Sequence, residues 1–430
     1  MKKYIFFVVG VMCTLLSHTA YAIDLNKSDA NIIGHVLEKK TGEHLPYMTV
    51  ALKGTTIGTM TDGTGHYFLK NLPEGEFILS VSAVGYKPQE RKVTLKRGKT
   101  LEENFELEED MVALDGVVVT ANRNETARRL APTLVKVVTP KLFDMTNSHT
   151  LSQGLVFQPG VRVENDCQNC GYSQVRINGM DGKYTQILID SRPIFSALAG
   201  VYGLEQIPAN MIERVEVVRG GGSALFGSSA IAGTVNIITK EPLRNSGSFA
   251  HSISNFDGSG SFDNNTTLNL SLVSSDNKMG AYIYGQNRHR SAWDSNGDSF
   301  SELPKLKNQT VGVNAYYRLN PYSKLNLEYH HMEEFRRGGN RFDLPPHIAE
   351  DANLNGSGEP GLVEQIEHSI NTGGLKFSAF SKDQKHAFNA YASAQHIVRD
   401  SYYSAYGHTT DFTGVLGAQY IYHFDKLFFM

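Results

Sequence analysis

Residues 212–240 read IERVEVVRGGGSALFGSSAIAGTVNIITK. Two β-branched stretches, Ile212–Val218 and Thr234–Thr239, flank a centre that holds Gly220, Gly221, Gly222, Gly227 and Gly233. Their composition and alternation predict two strands. The glycines between them supply φ > 0 or allow close backbone approach. A phosphate loop is the competing reading, because Gly222–Ser229 nearly spells G-x-x-x-x-G-K-[ST]. Ser228 stands where that pattern needs its lysine, and no helix follows. Neither a cation nor a helix N-terminus is there to hold a triphosphate. The stretch is read as glycine turns in a compact β-rich unit.

The chain has 430 residues, of which 40% are apolar and 20% charged. That length suits two or three domains. A net charge of −3 offers no basic face for nucleic acid. Forty Gly, 22 Phe and 20 Tyr against one Trp lean towards β-structure. No constellation of catalytic groups appears, so an enzyme is not expected. Residues 1–22 read as an export signal: Lys2 and Lys3, an apolar run Tyr4–Leu16, then Ala20-Tyr21-Ala22 for cleavage. The run is too short to span a bilayer as a helix. Cys13 argues weakly for a lipid anchor, because Met12 precedes it where a small residue belongs. Beyond residue 22 no segment is apolar enough for a transmembrane helix. The remaining options are a secreted, a periplasmic or an outer-membrane barrel protein.

Four textures follow. Residues 30–108 show short strands at Ile32–Leu37, Met48–Leu52, Tyr67–Leu69, Phe77–Val84 and Lys92–Leu95, separated by glycine turns, which predicts a small β-sandwich. Residues 114–123, LDGVVVTANR, form an apolar run between two units, either a free edge for β-augmentation or an ordinary first strand. Residues 126–242 alternate strands with short helical starts and read as an α+β unit. From residue 243 onward, segments of about ten residues alternate in polarity. They are Thr267–Val273, Ala281–Arg288, Val311–Arg318, Leu325–Met332, Leu375–Phe380, Ala387–Gln395 and Phe412–Tyr422. Short links alternate with long polar ones at 288–309 and 331–368, and aromatics such as Tyr282, Tyr284, Tyr316 and Tyr329 are placed near strand ends or outward. That is the pattern of an antiparallel transmembrane β-barrel.

Two cysteines remain beyond the leader, Cys167 and Cys170, in DCQNCGY. In an exported chain a local disulfide is the main reading. A zinc site would need a second ligand pair, and haem attachment would need His at position 171, which is Gly.

The 212–240 string, following an exported sandwich and preceding barrel strands, resembles the plug signature of TonB-dependent outer-membrane receptors. GTTIGTMTDGTGHYFLKNLPEGEFILSVSAVGY resembles the carboxypeptidase regulatory-like sandwiches, which carry no catalysis themselves. The resemblance implies a mainly β protein: signal peptide 1–22, β-sandwich 30–108, TonB box 114–123, α+β plug 126–242 and part of an outer-membrane barrel, 243–430. It implies that Asp115, Val117, Val118, Val119, Thr120 and Ala121 add a strand to the periplasmic TonB protein. VVVTANR and YTQILIDSRPIFSALAGV look most like the cobalamin receptors of the family, with haem and siderophore receptors as the alternatives. Ligand contact is expected at the plug apices, through Asp181 and through Tyr172, Tyr184, Phe195 and Tyr202, whose aromatic rings suit a flat macrocycle. Arg176, Arg192 and Arg219 are expected to pair with carboxylates of the barrel wall. His289, His330, His331 and His347 are placed in loops.

Two polar loops offer oxygens at Ca2+ spacing, Asp294, Asn296, Asp298 and Glu302, and Asp351, Asn353, Asn355 and Glu359. Neither has the Glu at position 12, so plain polar loops stay open beside a calcium site. Residues 243–430 suffice for roughly nine strands, whereas plugged transporters have about 22. An open sheet edge is not tolerated in lipid, so a fragment or truncated product is expected. A signal-transducing receptor and a surface adhesin are the other functional readings. A surface lipoprotein is a further expected partner, with outer-membrane lipid around the barrel.

Overall fold

The computed structural model describes residues 30–109 except 47, 63, 84 and 85, the backbone of 117–118 and 126–127, and residues 135–167, 172–193, 207–220, 226–227, 229–351, 361–422 except 384, and 424. Strand is the dominant element, as the alternation requires. No helix among the described residues is long and apolar enough to cross a membrane.

The first unit is a two-sheet sandwich. One sheet contains β1 (Ala30–Glu38), β4 (His66–Leu72), β7 (Thr100–Glu102) and β8 (Phe105–Leu107); β1 pairs with the other three. The second has the order β3 (Gly58–Met60), β2 (Thr49–Leu52), β5 (Gly75–Ser82), β6 (Gln89–Leu95). Alternate residues of each strand meet between the sheets, among them Ile32, Val36, Val50, Leu52, Leu69, Leu79 and Phe105. The short strands β3, β7 and β8 escape a sequence reading because three residues carry too little alternation to register.

Between the first two units, β9 (Val117–Val118) pairs antiparallel with β10 (Thr126–Ala127). The α+β unit is built on a five-stranded sheet. Its order is β11 (Val135–Val138), β16 (Ile212–Arg219), β17 (Gly233–Thr239), β14 (Thr185–Ile189), β15 (Arg192–Pro193). The two strands of the 212–240 stretch are thus adjacent and antiparallel, Val217 facing Val235. The glycines serve that pairing. Gly220 and Gly227 have φ of 79° and 98°. A Cβ on Gly233 would lie 2.3 Å from the Val218 carbonyl oxygen. Helices α1 (Pro140–Met145) and α2 (Leu151–Leu155) cover one side through Phe143, Leu151 and Leu155. A separate hairpin joins β12 (Val161–Cys167) to β13 (Tyr172–Ile177).

The third unit is one antiparallel sheet of eight strands in sequence order. They are β18 (Ser246–Asn255), β19 (Phe262–Val273), β20 (Met279–Arg290), β21 (Lys305–Asn320), β22 (Ser323–Gly339), β23 (Val363–Phe380), β24 (His386–Tyr403) and β25 (Tyr406–Tyr422). Eight strands are thus seen among the described residues, against roughly nine expected for the whole segment, and they run 10 to 18 residues. The polar run HHMEEFRRGG, expected to be loop, completes β22; every residue from Ser323 to Gly339 has a partner on β23. His330 and His331 therefore lie on β22 and His289 on β20, and only His347 falls in a loop, on the short helix α3 (Pro346–Ala349). Strand ends that leave the apolar zone have water or a polar interior on both faces, so nothing obliges them to alternate in hydropathy.

The faces of this sheet are inverted relative to a soluble protein. Leu268, Leu270, Leu272, Val311, Leu327, Leu375, Phe412 and Leu416 are exposed on one face, while Asp263, Asn265, Gln286, Arg288, Asn308, Glu334 and Arg336 are buried on the other. Apolar outside and polar inside is what a lipid-embedded wall requires. Arg288 and Asp263 form a buried fork, with Nη2–Oδ2 at 2.6 Å and Nε–Oδ1 at 3.0 Å.

The sandwich docks at the short-turn end of the wall. The Thr56 amide donates to the Pro321 carbonyl (2.8 Å), the Arg318 Nε donates to the Thr56 carbonyl (2.6 Å), and Tyr322 packs on the sandwich core. In an outer-membrane barrel that end faces the periplasm.

Candidate functional site

The α+β unit rests on the polar inner face of the wall, and that seat is the best defined functional surface among the described residues. Tyr282 and Tyr284 of β20 point inward into the core cluster of the unit, with Ile187, Met211, Ile212 and Val235. Of the positions expected for them, near strand ends or outward, the outward one does not hold, and Tyr316 is buried too. Period-two alternation separates the two faces but does not label them when both carry aromatics.

Around these rings the contacts are polar. The Tyr282 hydroxyl donates to the Asn210 carbonyl (2.9 Å), and Asn210 Nδ2 donates to Asn269 Oδ1 (2.9 Å) and the Gly285 carbonyl (3.2 Å). Asn314 Nδ2 donates to Thr239 Oγ1 (2.9 Å) and the Lys240 carbonyl (3.2 Å). Thr239 Oγ1 in turn donates to Asp190 Oδ2 (2.7 Å). The bonds of Tyr282, Asn210 and Asn314 across the seat are neutral ones that water can replace at little net cost. A unit held this way can be displaced without breaking a hydrophobic core as large as its own.

Two contacts are of another kind. Lys324 Nζ on β22 pairs with Glu241 Oε1 at 2.7 Å. The Arg192 guanidinium, with its side chain only 4% exposed, is hydrogen-bonded and ion-paired to Glu328 on β22. Asp190 lies 3.7 Å from the same guanidinium nitrogen. Gly374 on β23 makes room for the pair: a Cβ there would lie 2.6 Å from both Arg192 Nη1 and Glu328 Oε1. Arg192 is thus the one expected arginine that meets the wall. Arg176 instead pairs within its own unit, with Glu164 at 2.5 Å and Asp181 at 3.5 Å, because β13 places it beside β12 and not against the wall. Arg219 lies against Gly160 and makes no ion pair among the described residues.

His149 adds a pH-sensitive contact. Its Nε2 lies 3.3 Å from Ser252 Oγ on β18, and the Gln286 amide donates to its carbonyl (3.4 Å). Burial, and then the charge of Arg288, hold its imidazole below the ordinary value. A depressed value means that the folded state prefers the neutral ring. Its stability is present above the unfolded pKa and is lost as pH falls through the folded one, so acid loosens this edge of the seat.

The expected ligand residues are only partly described. Asp181 is half exposed and stands 3.8 Å from Lys183 Nζ. Tyr184 is partly buried and packs against the core of the unit, with Lys183 Nζ 5.1 Å above its ring. Tyr172 and Cys167 are placed by their backbone alone, in β13 and β12. Phe195, Tyr202 and Cys170 lie outside the described residues, so the disulfide is not observed. Of the 114–123 run, Val117 and Val118 form β9, one edge of which is taken by β10; Asp115, Val119, Thr120 and Ala121 lie outside the described residues. Asp294, Asp298 and Glu302 do converge, with one ligand oxygen each within 4.8 Å of the others. Asn296 donates to Asp298 (3.0 Å). The Asp294 carboxylate already accepts the Gly297 and Ser299 amides (both 2.7 Å), and Glu302 accepts the Ser295 amide (2.5 Å). The loop is closed by its own backbone. In the second loop Asp351 is described, while Asn353, Asn355 and Glu359 are not.

Residues 127–234 match the family model of the TonB-dependent Receptor Plug Domain, and residues 32–119 that of the CarboxypepD_reg-like domain. The chain carries a TonB-dependent receptor plug. The sandwich match runs through Val119, so it includes the first part of the 114–123 run. Among curated proteins the chain is similar to the vitamin B12 transporter BtuB of Vibrio vulnificus, at 32% identity over 229 residues, 46% of this chain and 37% of that one. Among solved structures it is similar to the siderophore receptor PirA of Acinetobacter baumannii, at 19% identity and a TM-score of 0.54, covering 67% of this chain and 44% of that one. A mutant of the ferric enterobactin receptor PfeA of Pseudomonas aeruginosa gives 18% and 0.52, with 66% and 45% covered. The chain thus spans less than half the length of each. The structural likeness fixes the fold as plug and barrel wall. The families matched are receptors and transporters, not enzymes.

Proposed function

We propose that this chain belongs to an outer-membrane receptor that takes up a large, scarce nutrient with energy delivered by TonB, and that the nutrient is cobalamin. The observation that carries the reading is a plug seated by replaceable polar contacts on an inside-polar wall. Such a seat suits a gate that must move when pulled. The 32% identity to a vitamin B12 transporter supports cobalamin over a haem or a ferric siderophore. The low-identity siderophore-receptor structures speak to fold alone. The leader at residues 1–22 directs the chain outward, and Asp115–Ala121 is the segment offered to TonB by strand addition. A signal-transducing receptor is the second functional reading.

A corrin floor at the apices rests on aromatic area, and such anchors are each worth roughly 2 kcal/mol or more. Tyr184→Ala and Phe195→Ala are each expected to weaken cobalamin binding about thirtyfold, and Lys183→Ala less than about threefold. Calorimetry on the detergent-solubilised receptor with cobalamin, haem and a ferric siderophore tests this. Because Tyr184 also packs on the plug core, its thermal midpoint is measured alongside. Tight haem binding with no detectable cobalamin binding would overturn the substrate and leave the receptor standing.

We further propose that Cys167 and Cys170 are bonded. The loop they close is short, so the entropic gain is small and the effect local. Intact mass about 2 Da below the dithiol form is expected, from the two hydrogens lost on bridging. Alkylation of two thiols in protein prepared without reductant would rule the bond out.

A further inference from the structure

Three histidines of the β-sandwich come together although they are far apart in sequence. His35 sits on β1 directly opposite His66, the first residue of β4. His44 bridges Leu37, two residues along β1 from His35, and so falls on the same side. The ring centroids are 5.3 Å apart for His35–His44, 4.9 Å for His44–His66 and 5.8 Å for His35–His66. Three imidazoles that each bind one ion through a nitrogen at about 2.0–2.1 Å in tetrahedral geometry hold their centroids roughly 5 Å apart. The spacing is already that of a three-histidine site. The ring nitrogens do not yet point at a common centre, and His44 is stacked on His66 at 29°. Rotation about the side-chain torsions, not movement of the strands, is what closure requires.

The surroundings favour ligation over packing. His44 and His66 are exposed and His35 half-buried, so the sandwich core does not need the rings. The His35 and His44 ring nitrogens make no hydrogen bond among the described residues. Gly65, at φ 78°, lets His44 approach: a Cβ there would lie 2.8 Å from His44 Cβ and 3.1 Å from its Nδ1. His66 alone is oriented. The Thr64 hydroxyl lies 2.7 Å from Asp62 Oδ1 and 3.0 Å from His66 Nδ1. That hydroxyl has one proton, and the carboxylate can only accept it. Thr64 Oγ1 must therefore accept from His66 Nδ1–H. The neutral ring is held as the Nδ1–H tautomer, with the Nε2 lone pair open to a metal. A carboxylate that sets a histidine tautomer from behind is the usual support of a metal-binding imidazole; here a threonine relays it.

We propose that His35, His44 and His66 bind one divalent late first-row transition ion, of the Zn2+ or Cu2+ class, with Asp62 and Thr64 setting His66. Imidazole ligands select these ions over Mg2+ and Ca2+. A bound ion ties β1, the 43–45 segment and the start of β4 together. The inference does not depend on the identity of the transported nutrient.

The test uses the whole chain in detergent, purified without a polyhistidine tag and titrated with Cu2+ and Zn2+ at pH 7.5. One ion tighter than about 10 μM is expected, with nitrogen hyperfine structure from imidazoles in the Cu2+ resonance spectrum. His44→Asn/His66→Asn is expected to weaken binding at least a hundredfold and to remove that hyperfine pattern. Thr64→Val, which keeps every imidazole, is expected to weaken it about tenfold or more. Asp294→Asn/Asp298→Asn/Glu302→Gln is expected to leave the tight ion in place. The site is overturned if the unmodified chain binds no ion tighter than about 10 μM, or if the double histidine variant binds as the unmodified chain does. Unchanged affinity in Thr64→Val overturns the relay.

Discussion

Deleting Asp115–Ala121 is expected to leave cobalamin bound at the cell surface and to abolish its uptake. The segment begins inside the family match of the sandwich, which runs through Val119, and ends before that of the plug, which begins at residue 127. Among the described residues the plug core is built from Val138 onward, so the plug and its ligand apices are expected to keep their structure without the segment. What the deletion removes is an extended backbone onto which a partner strand can add. The short β9–β10 pairing leaves one edge of Val117–Val118 for that purpose, or else opens when the partner arrives. Two residue pairs make a weak ladder, far below what an isolated hairpin needs for stability. Radiolabelled cobalamin measured separately as cell-bound and internalised label decides the matter. Internalisation at the normal rate by the deletion would remove the assignment of this run as the energy-coupling segment.

The second large effect is expected at the buried ion pair that fastens the plug. Arg192→Met leaves Glu328, 15% exposed, facing the plug without its partner. Removing one member of a buried pair costs about 3–5 kcal/mol, because the remaining charge stays desolvated. The plug should therefore open at markedly lower urea concentration, read by hydrogen exchange of the β14 amides next to Arg192. Arg192→Met/Glu328→Met is expected to recover most of the loss, since both charges leave together. Gly374→Ala should resemble the single variant in a milder form, as its Cβ would strike both members of the pair. Protection in Arg192→Met equal to that of the unmodified chain would mean that the Arg192–Glu328 pair does not fasten the plug to the wall.

Much of this was legible in the chain itself. Ile212–Val218 and Thr234–Thr239 are strands where their β-branched alternation puts them, and of the glycines between them Gly220 and Gly227 take positive φ while Gly233 packs against the Val218 carbonyl. The helix starts at Pro140 and Leu151 follow their local signals. Seven of the eight wall strands contain the alternating segment that marks them; β18, SGSFAHSISN, has too few apolar residues to stand out. The legible features share one cause, which is that turn chemistry and side-chain periodicity act over a few residues.

Other features needed the tertiary structure. The sequence alone determined the order of sandwich, plug and wall, the strand character of most of each, and the exclusion of a phosphate loop. It did not determine that Tyr282 and Tyr284 face the plug, that Arg192 reaches Glu328 while Arg176 turns back to Glu164, or that His35, His44 and His66 share one side of a sheet. Each of these depends on which residue stands beside which after the strands have paired and packed, in most cases between segments distant in the chain. A shift of one residue in register would turn every one of those side chains to the other face. Register is settled by the whole sheet and its packing, not by any local run of residues, so only the folded molecule decides it.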